Sequence, residues 1–200
     1  MNNWRQAIGI AVFTTTLFYC GSSIATPTTC RHLLKTSASK ALPCYKSLAA
    51  IGQVSALTTL GNLYYRGGNN VAQNYSTAFK WYKRSALQGG LYAQLELGIM
   101  YYRGKGVAKA PVQAVKWFKK AAYHGNSAAE DWLGYMYSHG EGGLAEEKVV
   151  AYAWYSIAAM TGDKIAAQNS IVVAKLLSMT QIRRAQMLAA RLQYEIAKLG

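Results

Sequence analysis

The sequence predicts an all-α fold, an α-solenoid of antiparallel helix pairs wound into a right-handed superhelix. Three observations carry that expectation. The chain is self-similar at a spacing of 36 or 37 residues: Gly61, Gly98 and Gly134 align, as do Tyr64, Tyr101 and Tyr137, then Trp81, Trp117 and Trp154. Self-similarity at a period of 20 to 50 residues is the mark of stacked supersecondary units, each unable to bury its apolar face alone. Each unit also carries alanine at i, leucine at i+4 and tyrosine at i+8, which fall on one stripe of a 3.6-residue helix. Finally, Gly67, Gly104 and Gly140 stand where the first helix of each unit should end, a C-cap placement that favours glycine.

Taken in order, residues 1–25 read as a secretory signal peptide. A short basic start at Met1–Arg5 precedes an apolar run from Ala7 to Tyr19, and Ser23-Ile24-Ala25 supplies small residues for cleavage after Ala25. The run is too short for a membrane span of about 20 residues. An uncleaved anchor and a lipoprotein signal ending at Cys20 are the alternatives. Residues 26–54 form a degenerate first unit, in which Cys44 takes the position of Trp81 and Ala41, Tyr45, Ala49 and Gly52 match Ala78, Tyr82, Ala86 and Gly89. Export favours oxidation, so Cys30 and Cys44 are expected to pair and staple this end, with two buried free thiols as the alternative.

Three full units follow over 55–162, at about 55–90, 91–126 and 127–162. Each is a helix A, a turn and a helix B. Pro111 suits the first turn of its helix B, where no intrahelical N–H bond is lost. Ser127 and Glu130 have capping-box spacing. The repeated tryptophan is expected to be the buried anchor of each unit. Val149 to Met160 is apolar nearly all round, which requires burial on more than one side. Residues 163–200 form a closing helix pair, Lys164 to Leu177 and then a helix capped by Thr180.

The register resembles the Sel1-like repeat family, a relative of the tetratricopeptide repeat. Ala56/Leu60/Gly61/Tyr64, Ala93/Leu97/Gly98/Tyr101 and Ala129/Leu133/Gly134/Tyr137 match its first helix, and the Ala, Trp, Ala and Gly of the second half match in all three units. The acidic residue usual before helix B is Asn74, Ala110 and Glu147 here, and Gly140-Glu141-Gly142-Gly143 lacks the usual Gly-Val. The resemblance implies a scaffold or adaptor in bacterial envelope organisation, signalling or host-cell contact. Cysteine-rich relatives are associated with β-lactam and peptidoglycan binding and weak hydrolysis, which is the rival reading.

Charge adds a second surface. The chain carries a net +14, and Lys80, Lys83, Arg84, Lys116, Lys119 and Lys120 flank two of the tryptophans. They form either a convex patch for anionic envelope lipids or polymers or a solvated face. An export signal argues against nucleic acid. The helix-A side opposite the Ala/Leu/Tyr stripe supplies Thr58, Asn62 and Tyr65, then Leu95, Ile99 and Tyr102, then Asp131, Tyr135 and Ser138. Solenoids of this kind hold peptides or protein segments on their concave face, so a protein partner is expected there, although such tyrosines serve cores equally well.

Neither a cofactor nor a metal is implied, with His32 the sole co-ligand near the cysteines. Ser37-Ala38-Ser39-Lys40 has Ser-x-x-Lys spacing, but Lys35-Thr36-Ser37 overlaps it and no Ser-Asp-Asn follows. The expectation is a monomeric non-enzyme, without a transmembrane segment once the signal is removed.

Overall fold

The computed structural model describes residues 19–20, 23–68 and 70–198. The basic start of the expected signal and its apolar run as far as residue 18 lie outside the described residues. Of that segment, Tyr19–Cys20 (β1) and Ser23–Ile24 (β2) pair antiparallel, with Tyr19 opposite Ile24. Ten helices follow among the described residues: α1 Pro27–Thr36, α2 Ala38–Ala50, α3 Val54–Arg66, α4 Tyr75–Leu87, α5 Leu91–Arg103, α6 Pro111–Ala122, α7 Ser127–His139, α8 Lys148–Met160, α9 Lys164–Ala174 and α10 Met179–Ala197. Helices α3/α4, α5/α6 and α7/α8 pack as pairs, and α2–α3, α4–α5 and α6–α7 contacts stack each pair on the previous one.

The repeated glycines explain how each pair closes. A Cβ added at Gly61 would lie 2.5 Å from the Tyr82 ring, and one at Gly134 would lie 2.6 Å from Tyr155. At Gly98 it would collide with Phe118. Helix A therefore gives up about 1 kcal/mol of propensity at glycine so that a helix-B ring can lie flat against its backbone. Tyr82 adds a hydrogen bond from Oη to Asn62 Oδ1 at 2.7 Å. Gly104 and Gly140 cap α5 and α7 in the left-handed conformation.

That locking ring is the residue after the tryptophan, which corrects the expected anchor. Tyr82, Phe118 and Tyr155 are buried, whereas Trp81 and Trp117 are half-buried and only Trp154 is fully enclosed, at 3% exposed. Adjacent residues on a helix point about 100° apart, so one ring faces its own helix A while its neighbour faces along the stack. Trp81 accordingly packs on the core of the N-terminal pair, and Trp117 packs on the core built from α4 and α5.

Cys30 and Cys44 form a disulfide joining α1 to α2, with Cα atoms 5.4 Å apart. Closing a loop of about 15 residues contributes on the order of 3 kcal/mol in the chain-entropy account.

Three cap expectations change. Helix α7 is capped by Asn126, whose Oδ1 accepts from Ala129 N at 3.0 Å, and Glu130 turns inward instead of closing a capping box with Ser127. Helix α9 ends at Ala174, three residues short of Leu177. Helix α10 starts from Ser178, not Thr180: Ser178 Oγ accepts from Gln181 N at 3.3 Å, while Ser178 N donates to Gln181 Oε1 at 2.8 Å. This reciprocal box satisfies two orphan donors, which a Thr180 cap alone would not. Helix α10 then lies across α8, burying Ala185 and Ala189.

Candidate binding surfaces

The helix-A row divides into residues absorbed by packing and residues left facing a cleft. Leu95 is 8% exposed inside the core, so it is corrected from contact residue to core residue. Ile99 packs against the same core. Thr58 shares a 2.7 Å hydrogen bond with Ser85 and donates to Val54 O at 3.0 Å. Asn62 is held by the Tyr82 phenol. Tyr65 meets Tyr75 edge-on at 5.1 Å, and Lys105 Nζ sits 5.5 Å and 5.1 Å from those two rings. In the first unit this row is taken up by its own helix pair and by Lys105 from the second.

Between the second and third units the row stays open. Tyr102 (α5), Asp131 and Tyr135 (α7) line one cleft of about 260 Å³ together with Trp132 and Asn169. The three rings stand as walls: Tyr102 and Trp132 are 5.1 Å apart at 57°, Tyr102 and Tyr135 are 6.1 Å apart at 85°, and Trp132 and Tyr135 are 5.8 Å apart at 76°. Phe118 stacks on Trp132 at 5.3 Å and His139 on Tyr135 at 4.3 Å, so the walls are backed. Tyr102 Oη donates to Tyr135 Oη at 3.3 Å, and Tyr135 Oη donates to Glu141 Oε1 at 3.5 Å. The bond to Tyr135, then burial, then Glu141 hold the Tyr102 phenol well above its ordinary range. Asn169 Nδ2 donates to Asp131 Oδ1 at 3.0 Å. Burial raises the Asp131 carboxyl, against the pull of that bond. Ser138 lines an adjoining hollow with Tyr135, Asn169 and Val173.

Trp132 and Asn169 were not among the expected contact residues. Trp132 follows Asp131 directly, so an aromatic beside the row was its signal. Asn169 lies on α9, beyond the three aligned units, and only the chain's return brings it to the cleft.

On the helix-B side, Lys80, Lys83, Arg84, Lys116 and Lys120 are exposed and Lys119 is half-buried. Three of them lie over rings: Arg84 at 4.9 Å from Trp81, Lys120 at 4.6 Å from Trp117, and Lys119 at 5.9 Å from Tyr137. The patch stops at the third unit, where Ala153 and Ile157 are buried and Ser156 is half-buried.

Ser37 Oγ bonds Ser39 Oγ at 2.9 Å and Lys40 is exposed. Ser138 Oγ and His139 Nδ1 are 2.7 Å apart, but both also reach the Tyr135 carbonyl, which is how a last helical turn is capped. No group of three metal-ligating side chains occurs among the described residues. Glu130, at 1% exposed, has Oε2 without a partner, and burial followed by Asp163 pushes its carboxyl up to about 7.

Helical hairpins locked glycine-to-ring and stacked edge to edge define a repeat scaffold. The chain belongs to the Sel1 repeat family, whose model matches residues 54–90, 91–126 and 127–163, more than half of the chain. It is similar to a Sel1 repeat protein from Oxalobacter formigenes, at 29% identity and a TM-score of 0.69, covering 86% of this chain and 69% of that one. It is also similar to c5321, a protective antigen present in uropathogenic Escherichia coli strains and displaying an SLR fold. That likeness has 27% identity and a TM-score of 0.52, and covers 84% of this chain but only 44% of the antigen. No curated protein matches the chain. Sel1 repeat proteins are generally protein–protein interaction scaffolds. No helix among the described residues is long and apolar enough to cross a membrane.

Proposed function

We propose that the chain is a monomeric, exported, non-enzymatic scaffold that holds a segment of a partner protein on its concave helix-A face. The observation that carries this reading is the open cleft of Tyr102, Trp132 and Tyr135, with Asp131 and Asn169 as its polar rim. Large amphipathic rings around a few fixed polar groups are the composition of contact surfaces. Export draws support from the Cys30–Cys44 bond, since such bonds form and persist chiefly in oxidising compartments. The role would lie in organising the bacterial cell envelope or in contact with a host cell, with the six helix-B cations resting on an anionic lipid or polymer. A Ser37 hydrolase is the weaker reading, because that hydroxyl bonds Ser39 while Lys40 is exposed. A photo-crosslinking residue at Tyr102 is expected to capture a discrete protein adduct in envelope preparations, and the same residue at Leu87 on α4 is not. Equal capture at both positions, or none at Tyr102, overturns the reading.

A further inference from the structure

The third unit concentrates acid in a basic protein. Six of the eight acidic residues lie between Glu130 and Asp163, while the chain as a whole is +14. Among the described residues the one ion pair joins Lys148 to Glu146, so Asp131 sits in its aromatic cleft with no cation within bonding reach. Asn169 fixes the direction of its carboxylate. A carboxylate at the rim of ring faces attracts positive charge twice over, through the charge itself and through the negative π-faces.

The first unit shows what such rings accept. There Lys105 places its ammonium over both Tyr65 and Tyr75. In the open cleft Lys109 reaches one ring, Tyr102, at 5.8 Å. Among the described residues no lysine or arginine lies over Trp132 or Tyr135 or pairs with Asp131, and the ring stacked on Tyr135 is that of His139. The volume of about 260 Å³ lies below the roughly 300–1,000 Å³ of small-molecule sites, so it suits one side chain better than a free metabolite.

We infer that the Tyr102–Trp132–Tyr135 cleft is a cage for one cationic side chain, best matched by arginine, projecting from the partner segment held on the concave face. A planar guanidinium is weakly hydrated, stacks on rings and can donate to Asp131 at the same time. The inference rests on the concave-face reading and adds the chemistry of its partner.

The probe is N-acetyl-arginine amide, titrated against the whole protein while the Trp132 indole N–H resonance is followed, with Trp132→Phe for its assignment. The neutral isostere N-acetyl-citrulline amide is the control. A saturable shift with arginine, at least fivefold weaker with citrulline and at least fivefold weaker in Asp131→Asn, is the expected result. Asp131→Asn keeps the side chain's shape, and an unchanged thermal melt confirms its fold; Tyr135→Leu, which removes one wall, gives the same readout should that variant fail to fold. Equal shifts with the two amides, no saturable shift with arginine, or wild-type affinity in the variants overturns the cage. Partner capture at Tyr102 that survives Asp131→Asn sinks the cage and leaves the scaffold reading standing. Arginine binding without any partner capture does the reverse.

Discussion

The second and third units have the same motif and use it differently. In the second, Trp117 is half-buried, one side on the preceding core and the other beneath the Lys120 ammonium at 4.6 Å. In the third, Trp154 is 3% exposed, and Ala153 and Ile157 replace the cations because α10 crosses α8 there. The inward polar position differs as well. Gln94 donates from Nε2 to the Ala86 carbonyl at 3.3 Å, whereas its counterpart Glu130 is a buried acid; each keeps one side-chain oxygen without a partner. A repeat motif therefore specifies the hairpin, and the next element in the stack decides how deeply its residues are buried and which charges they can bear.

The widest gap should come from the rings. Trp154→Ala and Phe118→Ala are each expected to cost roughly 3–5 kcal/mol, as full burial implies, while Trp117→Ala should cost about 2 kcal/mol because part of its surface is already in water. Equal thermal destabilisation by Trp117→Ala and Trp154→Ala would erase the distinction between the units.

Glu130→Gln sharpens the comparison at the inward position. The Glu130 carboxyl is raised in the folded state to about 7, above the roughly 4.3 of an unfolded glutamate. The folded protein therefore binds the extra proton between those values. The group's contribution is fully present below about pH 4.3, is lost as pH rises towards 7, and is flat above. Glu130→Gln should raise stability by on the order of 3 kcal/mol at pH 8 and leave it nearly unchanged at pH 4.5. Denaturant melts at the two pH values read this directly, and a gain that does not grow with pH would assign Glu130 another role.

Lys80→Gln with Lys83→Gln is the mildest change to the fold, expected within about 0.5 kcal/mol. The same pair should lower binding to anionic vesicles roughly tenfold or more at low salt, since each cation near such a surface contributes about 1 kcal/mol. Wild-type co-sedimentation by the double variant would leave these lysines as solvated groups.

Much of this architecture is legible in the sequence because it repeats. Gly61, Gly98 and Gly134 recur where a ring must approach a helix backbone, and Gly104 and Gly140 recur where a helix must stop. What the sequence hides is orientation. Trp117 and Phe118 differ by one residue, and nothing local tells which of two adjacent rings faces the partner helix and which faces along the stack. Glu130 stands at capping-box spacing, yet Asn126 wins the cap with a shorter reach. The cleft is half legible: Tyr102, Asp131 and Tyr135 follow from the helical offset. Leu95 at the same offset is core, and Asn169 arrives from α9, outside the periodic stretch.

The disulfide between α1 and α2 has a consequence for the array as a physical system. In a row of units coupled only to their nearest neighbours, the unit at an end has one interface to hold it and frays first. Cross-linking that unit sets a boundary condition, and its influence decays from one interface to the next. Reduction should therefore open the hydrogen-exchange protection of α1 and α2 first and leave that of α7 and α8 almost untouched, so that the same chain melts from a different place in an oxidising and in a reducing medium.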